Sequence, residues 1–377
     1  MNPPALAIGT DQALAFRLGR QHLLSFAPGG LEAARTLLGA QAQVLSAAVL
    51  QLRARSRDVT AEWTERAIQR DRSLVRLWGH RSTLHLAAAP DLALLTAVRR
   101  HAEPGYLRWL TGEGLTAEQA EALVVAIGEA VVERPLSRAE LAAALVPRLG
   151  EWARPWLLGS WGGAIKFACA RGLVCHAGGD GEDERSIRFA RLDRWVALGD
   201  RPDPAAALAE LLRRYLAAFG PAGPRDFAKF TGLPAEPLRA AFAAVAGELL
   251  PVSVDGGPAF VLAADEAALR EAAMPSGHIA VLPLFDPWLL AHAGTAEALP
   301  PERRPQVFRT AGWISPVVLR HGRVVATWSH RRGARGWSVT VDPWRRLGKG
   351  DRARIERGLR HLAKGQGAAE VAVAYPD

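Results

Sequence analysis

Residues 60–88 read TAEWTERAIQRDRSLVRLWGHRSTLHLAA, and the spacing of their apolar residues changes halfway along. Thr60 followed by Glu62, Glu65 and Ala67 opens a helix. From Leu74 to Ala88 the chain instead shows two extended runs rich in Val, Leu and Thr around a turn at Gly79, which predicts a β-hairpin. Upstream, from Asp11 to about Asp71, apolar residues recur at three- and four-residue spacing, as in Leu31, Ala34, Leu38, Leu45 and Val49, the signature of helices. Helices followed by a hairpin are the outline of a winged helix.

The outline recurs. Helices are predicted over Thr116–Val132, over Ser137–Leu149 with a capping-box pair at Ser137 and Glu140, and near Gly163–Arg171. A hairpin of Leu173–Ala177 and Ser186–Leu192 follows, joined by the polar, Gly-rich tip Gly178–Glu184. After the Pro-marked linker Asp200–Pro204 come helices near Ala206–Phe219, Arg225–Thr231 and Pro237–Leu249, with Gly232 placed where a helix-turn-helix turns. Strands Val252–Val254 and Ala259–Leu262 around Asp255-Gly256-Gly257 complete the third unit. Beyond Met274 the pattern is β-rich, with strands over Ile279–Leu284, Ile314–Leu319, Val324–Trp328 and Trp337–Val341 and a closing helix over Asp351–Leu362. The expectation is an α+β chain of three tandem winged-helix units (1–100, 101–200 and 201–272) plus a β-rich C-terminal domain (273–377), shaped as a DNA-binding cleft.

Charge points to the partner. The net charge is +9, and nearly all the basic residues are arginine. Residues 1–100 hold 13 basic and 7 acidic residues, residues 101–300 hold 18 and 25, and residues 301–377 hold 16 and 6, so both ends are basic and the middle is acidic. Arginine pairs with phosphate in a bidentate fork, and a polyanion gripped by the two ends fits that distribution. Cys169 and Cys175 are too few for a disulfide framework, their spacing matches no usual zinc pairing, and the histidines are scattered, so neither a metal nor a cofactor is expected. With no apolar run long enough for a membrane span and no leader-like opening, a soluble, cytoplasmic monomer is expected.

Gln41-Ala42-Gln43 is the unusual feature, because Gln41 falls on the helical stripe of Leu37, Leu38, Val44 and Leu45. Two readings fit: a core amide bonded to neighbouring backbone, or an amide pair kept for chemistry. Residues two apart do not face each other on a regular helix, so joint action requires a break, for which Gly39 is suitably placed.

Four stretches, Leu37–Val44 (LLGAQAQV), Arg81–Leu86 (RSTLHL), Leu282–Ala293 (LPLFDPWLLAHA) and Gly322–Trp328 (GRVVATW), together resemble the AlkZ-like DNA glycosylases. The resemblance implies tandem winged helices around a DNA cleft, and Gln41 and Gln43 as the catalytic pair. It also implies the branch that removes bulky or crosslinking adducts in genotoxin self-resistance.

The chemistry agrees with such a role. Alkylation at N7 makes a purine cationic and its glycosidic bond weak, so departure needs no strong acid. An amide is no general base near neutral pH, but it can both accept and donate, and so hold a water against the anomeric carbon. Its dipole can also stabilise a developing oxocarbenium ion. The expected substrate is double-stranded DNA carrying an alkylated purine. The first lysine is Lys166, so the glutamine-bearing unit offers no amine for a Schiff base, and a monofunctional enzyme is expected.

Arg81, Thr83 and His85 are expected on one side of an alternating strand, lining the cleft near the glutamines. The basic tip Ser329–Gly336, flanked by Trp328 and Trp337, is expected to be a flexible DNA-contacting loop through His330, Arg331, Arg332 and Arg335. Asp286, ahead of Pro287, reads as a structural turn initiator. The competing readings are a winged-helix transcriptional regulator and a damage binder without catalysis.

Overall fold

Local sequence starts the helices where expected. The Thr60 side chain accepts from Trp63 N at the start of Ala61–Glu65, and capping boxes at Thr116/Gln119 and Ser137/Glu140 open Ala117–Ala130 and Arg138–Leu149. The computed structural model describes residues 6–159, 163–177, 187–295, 297–333 and 335–376. The predicted tip Gly178–Glu184 lies outside them.

The strands, in chain order, are β1 (Leu6–Ile8), β2 (Ala40–Gln41), β3 (Leu74–Trp78), β4 (Leu84–Ala88), β5 (Leu136–Ser137), β6 (Val174–His176), β7 (Arg188–Arg191), β8 (Leu249–Val254), β9 (Gly257–Leu262), β10 (Ile279–Leu282), β11 (Val317–Arg320), β12 (Arg323–Arg332), β13 (Gly336–Pro343) and β14 (Glu370–Ala374). They form three sheets, in the orders β2-β4-β3-β6-β7-β5, β1-β8-β9 and β10-β11-β12-β13-β14.

Each predicted hairpin is present, but the units are not separate. The first two hairpins join where Arg76 of β3 pairs with His176 of β6, over a cluster of Trp78, His176 and Phe189. Strand β1 leaves the N-terminal segment to pair in parallel with β8 of the third hairpin. One apolar core then runs from Ala27 to Ala291, so the proposed boundaries at 100 and 200 are crossed by shared packing.

The C-terminal sheet has a helix, Lys349–Gly365, seated on it through Ile355, Leu359, Leu362 and Ala363. Strand β14, absent from the sequence reading, adds to β13 in parallel. The supposed basic loop is itself mostly strand, because His330, Arg331 and Arg332 belong to β12 and pair with β13 in register. Trp328 and Trp337 are buried rather than displayed, which anchors both arms in the core. Cys169 and Cys175 are buried free thiols.

Candidate active site

The segment around the glutamines is not the interrupted helix that its apolar spacing predicts. The helix Gly30–Thr36 ends, Leu38 and Gly39 take left-handed φ values of 56° and 102°, and the chain emerges as β2. A side chain on Gly39 would approach His85 Cβ to 3.4 Å, so this turn favours glycine on both counts. Ala40 pairs with Leu86 and Gln41 with His85, and Ala42 N donates to Leu84 O at 2.7 Å. The glutamine strand thus caps the edge of the first hairpin, and the helix Leu45–Arg53 begins just beyond Gln43.

Cross-strand pairing sets Gln41 beside His85, since partners in an antiparallel pair project to the same face about 5 Å apart. Gln41 is buried and Gln43 exposed. Arg81 Nη2 donates to Gln41 Oε1 at 2.7 Å, a charged bond that orients the amide with its NH₂ away from the guanidinium. Arg76 holds the main chain next door, donating to Ala42 O at 3.1 Å and Gln43 O at 3.3 Å. Burial lowers the Arg81 pKa to about 10, with neighbouring Arg99 adding to the effect; burial likewise brings Arg76 to about 10.

Arg81 reaches the glutamine from a turn, not from the alternating strand that was expected. Arg81 and Ser82 both have left-handed backbone, φ 54° and 56°, which costs non-glycine residues about 1–2 kcal/mol each. The surroundings determine that shape. Gly79 N donates to Thr83 O and Ser82 N to Gly79 O, while the Ser82 hydroxyl accepts from Tyr106 and Arg99. Arg81 Nη1 donates to Phe230 O in the helix Pro224–Thr231. There Gly232, at φ 68°, lies against Arg81, and a Cβ would come within 2.8 Å of the Arg81 Cα.

Thr83 faces its own turn, donating its hydroxyl to His80 O at 3.0 Å, and does not reach the glutamines with its side chain. Its carbonyl lies 2.9 Å from His85 Nδ1. Burial first, then Arg81, pushes the His85 pKa down to about 3, so the ring is neutral. A carbonyl only accepts, so Nδ1 carries the proton and Nε2 keeps its lone pair. His80 packs edge-on against His85 and is held well below its ordinary pKa, chiefly by burial. Arg81 and His85 therefore converge on Gln41, and Thr83 acts on His85 through its main chain.

The sequence reading missed Gln51 and Arg55, the latter being the partner of Asp286. Gln51 and Arg55 stand four residues apart on the inward face of the helix Leu45–Arg53 and just past its end, and both are buried. That inward polar stripe was the available signal. Arg55 and Asp286 form a bidentate pair at 2.8 Å in the core, and Asp286 also accepts from Trp288 N, consistent with the structural reading of that residue.

The hairpin β12–β13 presents Arg331 and Arg335 with no hydrogen bond or ion pair among the described residues. Arg332 instead donates to Gln366 O, and the His330 ring stacks on Trp337 at 4.0 Å. The Gln366 side chain in turn donates to Ser46 O at 3.4 Å, three residues beyond Gln43, so the tip end of the hairpin and the glutamine strand are neighbours. A cavity of about 1310 Å³ beside Ser82 is walled by cations and aromatics, including Arg99, Arg108, Lys166, Tyr106 and Trp109; neither glutamine lines it.

Among the described residues, no three His, Cys, Asp or Glu side chains gather as metal ligands, and no helix is long and apolar enough to cross a membrane.

The family profile of the AlkZ-like DNA glycosylases matches residues 34–364, and the chain belongs to that family. It is a DNA glycosylase, an enzyme rather than a regulator or a binder without chemistry. In particular, it is similar to the interstrand DNA cross-link repair glycosylase of Streptomyces sahachiroi, 31% identical over 372 residues that cover 96% of this chain and 98% of the relative. The solved structure of Streptomyces sahachiroi DNA glycosylase AlkZ superposes with a TM-score of 0.87 at 29% identity, covering 98% of this chain and all of that one.

Proposed function

We propose that the enzyme acts as a monomer to hydrolyse the N-glycosidic bond of N7-alkylated purines in duplex DNA, including bulky and crosslinking adducts, in repair or genotoxin self-resistance. The observation that carries the reading is the Gln41 amide, fixed by Arg81 on a strand that sets it beside a neutral His85. Gln41 and Gln43 hold the attacking water and face positive charge developing at the sugar with their dipoles. Gln41 Oε1 already takes one bond from Arg81, leaving one lone pair and two N–H groups for the substrate.

His85 contributes an acceptor at Nε2. With a pKa near 3 it is too weakly basic to take a full proton at neutral pH, so catalysis rests on placement. Such a site suits a leaving group that is already cationic and gives an undamaged base no route to departure. Arg331, Arg332, Arg335 and His330 contact the DNA, with Arg332 and His330 also bracing the hairpin through Gln366 and Trp337. We read the helix–hairpin units as winged helices lining the DNA cleft. The repair activity in the relative's name supports the crosslink part of the proposal.

The test is base release from a duplex with one N7-alkylguanine, scored as alkali-labile abasic sites. Release by the wild type, and its loss in Gln41→Ala/Gln43→Ala with DNA binding retained, is the expected result. Release from undamaged DNA at a comparable rate would overturn the reading.

A further inference from the structure

Resting on that reading of Gln41, we infer that Gln51 is a positioning residue which locks the catalytic strand and ties it to the C-terminal domain. In an antiparallel strand, successive residues turn their main-chain groups to opposite edges. Ala42 N bonds β4, so the N–H and C=O of Gln41 face the open edge of the sheet. No further strand lies there among the described residues. The Gln51 amide occupies the position instead: its Oε1 accepts from Gln41 N at 3.1 Å and its Nε2 donates to Gln41 O at 3.0 Å.

One primary amide thereby reproduces the pair of bonds that a neighbouring strand would supply. Its second N–H goes to Leu284 O at 3.1 Å. Leu284 closely follows β10 and precedes Phe285, whose φ is 59°, and Asp286, which holds Arg55. Arg55 Nη1 also donates to the Gln51 main-chain carbonyl at 3.0 Å. The C-terminal sheet and the catalytic strand therefore meet on a single, fully buried side chain whose three polar contacts all go to main chain.

A buried amide with both ends satisfied has one low-energy orientation, and any shift of residues 284–286 is passed to the main chain of Gln41. Gln51 touches no reacting group. It sets where Gln41 stands, as outer partners do for metal ligands. The C-terminal domain on this view serves the chemical step as well as DNA binding.

Gln51→Met keeps the volume and loses all three bonds. Gln51→Glu, protonated because it is buried against two carbonyl oxygens, keeps the acceptor for Gln41 N and one donated bond and loses the other. Single-turnover base release at saturating enzyme is expected to fall at least tenfold in Gln51→Met and less in Gln51→Glu, with DNA affinity within about twofold of wild type. Amide deuterium exchange in peptides spanning residues 38–44 is expected to quicken in Gln51→Met, while Gln51→Glu retains protection. Leu52→Ala, a cavity in the same helix that removes none of these bonds, serves as the stability control and should leave 38–44 protected. A wild-type release rate in Gln51→Met alongside an inactive Gln41→Ala overturns this inference alone, as does a loss matched by Leu52→Ala at equal loss of stability. Full activity in Gln41→Ala overturns the parent reading. If Gln51→Met does not fold, Gln51→Glu decides: a release rate below wild type with DNA affinity retained supports the inference, and a wild-type rate overturns it.

Discussion

The glutamine strand and the β12–β13 hairpin stand close together and are built in opposite ways. Around Gln41 the main chain is committed to Gln51, the neighbouring carbonyls to Arg76, and the side-chain oxygen to one bond from Arg81. On the hairpin the core is equally firm, with Trp328 and Trp337 buried, but Arg331 and Arg335 project without partners among the described residues. On the proposed roles, positioning for chemistry requires a single geometry, which buried main-chain contacts supply. Attraction for phosphate acts over a Debye length of about 8 Å, so exposed cations need only be present.

Substitutions in the two regions should therefore differ in kind and in size. The largest effect is expected from Asp286→Ala, which leaves Arg55 buried and unpaired behind the glutamine strand, at a cost of roughly 3–5 kcal/mol. Denaturant unfolding should show this, while Arg331→Ala should change stability by no more than about 0.5 kcal/mol. Equal effects would erase the distinction between the regions. Next comes Gln41→Ala, where losing one prepositioned dipole should slow single-turnover release by roughly 10²–10³-fold with little change in affinity.

Reversing Arg331 and Arg335 to Glu should do the converse. Affinity falls, and the slope of log K against log salt flattens by about 0.9 for each phosphate that is no longer neutralised, with release from the bound complex nearly unchanged. A slope that does not move would remove the hairpin from the DNA interface.

The smallest effect is expected of pH. His85 is already neutral well below neutrality, so release from the saturated complex should be flat from about pH 6 to 9, within the error of a stopped-time assay. A bell centred near pH 7 would indicate a titrating base that the glutamine site lacks. Stability behaves differently. The folded His85 pKa, about 3, lies below that of the unfolded chain, near 6.5, so the unfolded state binds more protons between those values. Its contribution is complete above about pH 6.5 and is lost as the pH falls toward 3, and buried His80 and His176 act in the same direction.

Short-range signals in the chain were legible. The helix start at Thr116, the capping pair at Ser137, the hairpin at Gly79 and the turn at Gly256 appear where the residues called for them, because caps and turns are satisfied within a few positions. The Gln41 region misled because Leu37, Leu38, Val44 and Leu45 are all apolar or core-facing, and helical spacing cannot distinguish one helix from a helix, a left-handed turn and a short strand. Strands β1 and β14 were missed for a related reason. β1 has three residues and pairs with β8, far away in sequence, and β14 pairs with β13 only across the closing helix.

The sequence by itself determined the helix-then-hairpin order, the basic ends, the Gln41/Gln43 pair and the family likeness, all of which reside in composition and local period. Only the tertiary structure decided which groups complete the site. Arg81 enters from a strained turn braced by Phe230 and Gly232, and Gln51 reaches from Gln41 to Leu284, itself 233 residues further along the chain. A buried polar atom takes whichever partner the packed chain brings within about 3 Å, and no local pattern in the residues encodes that choice.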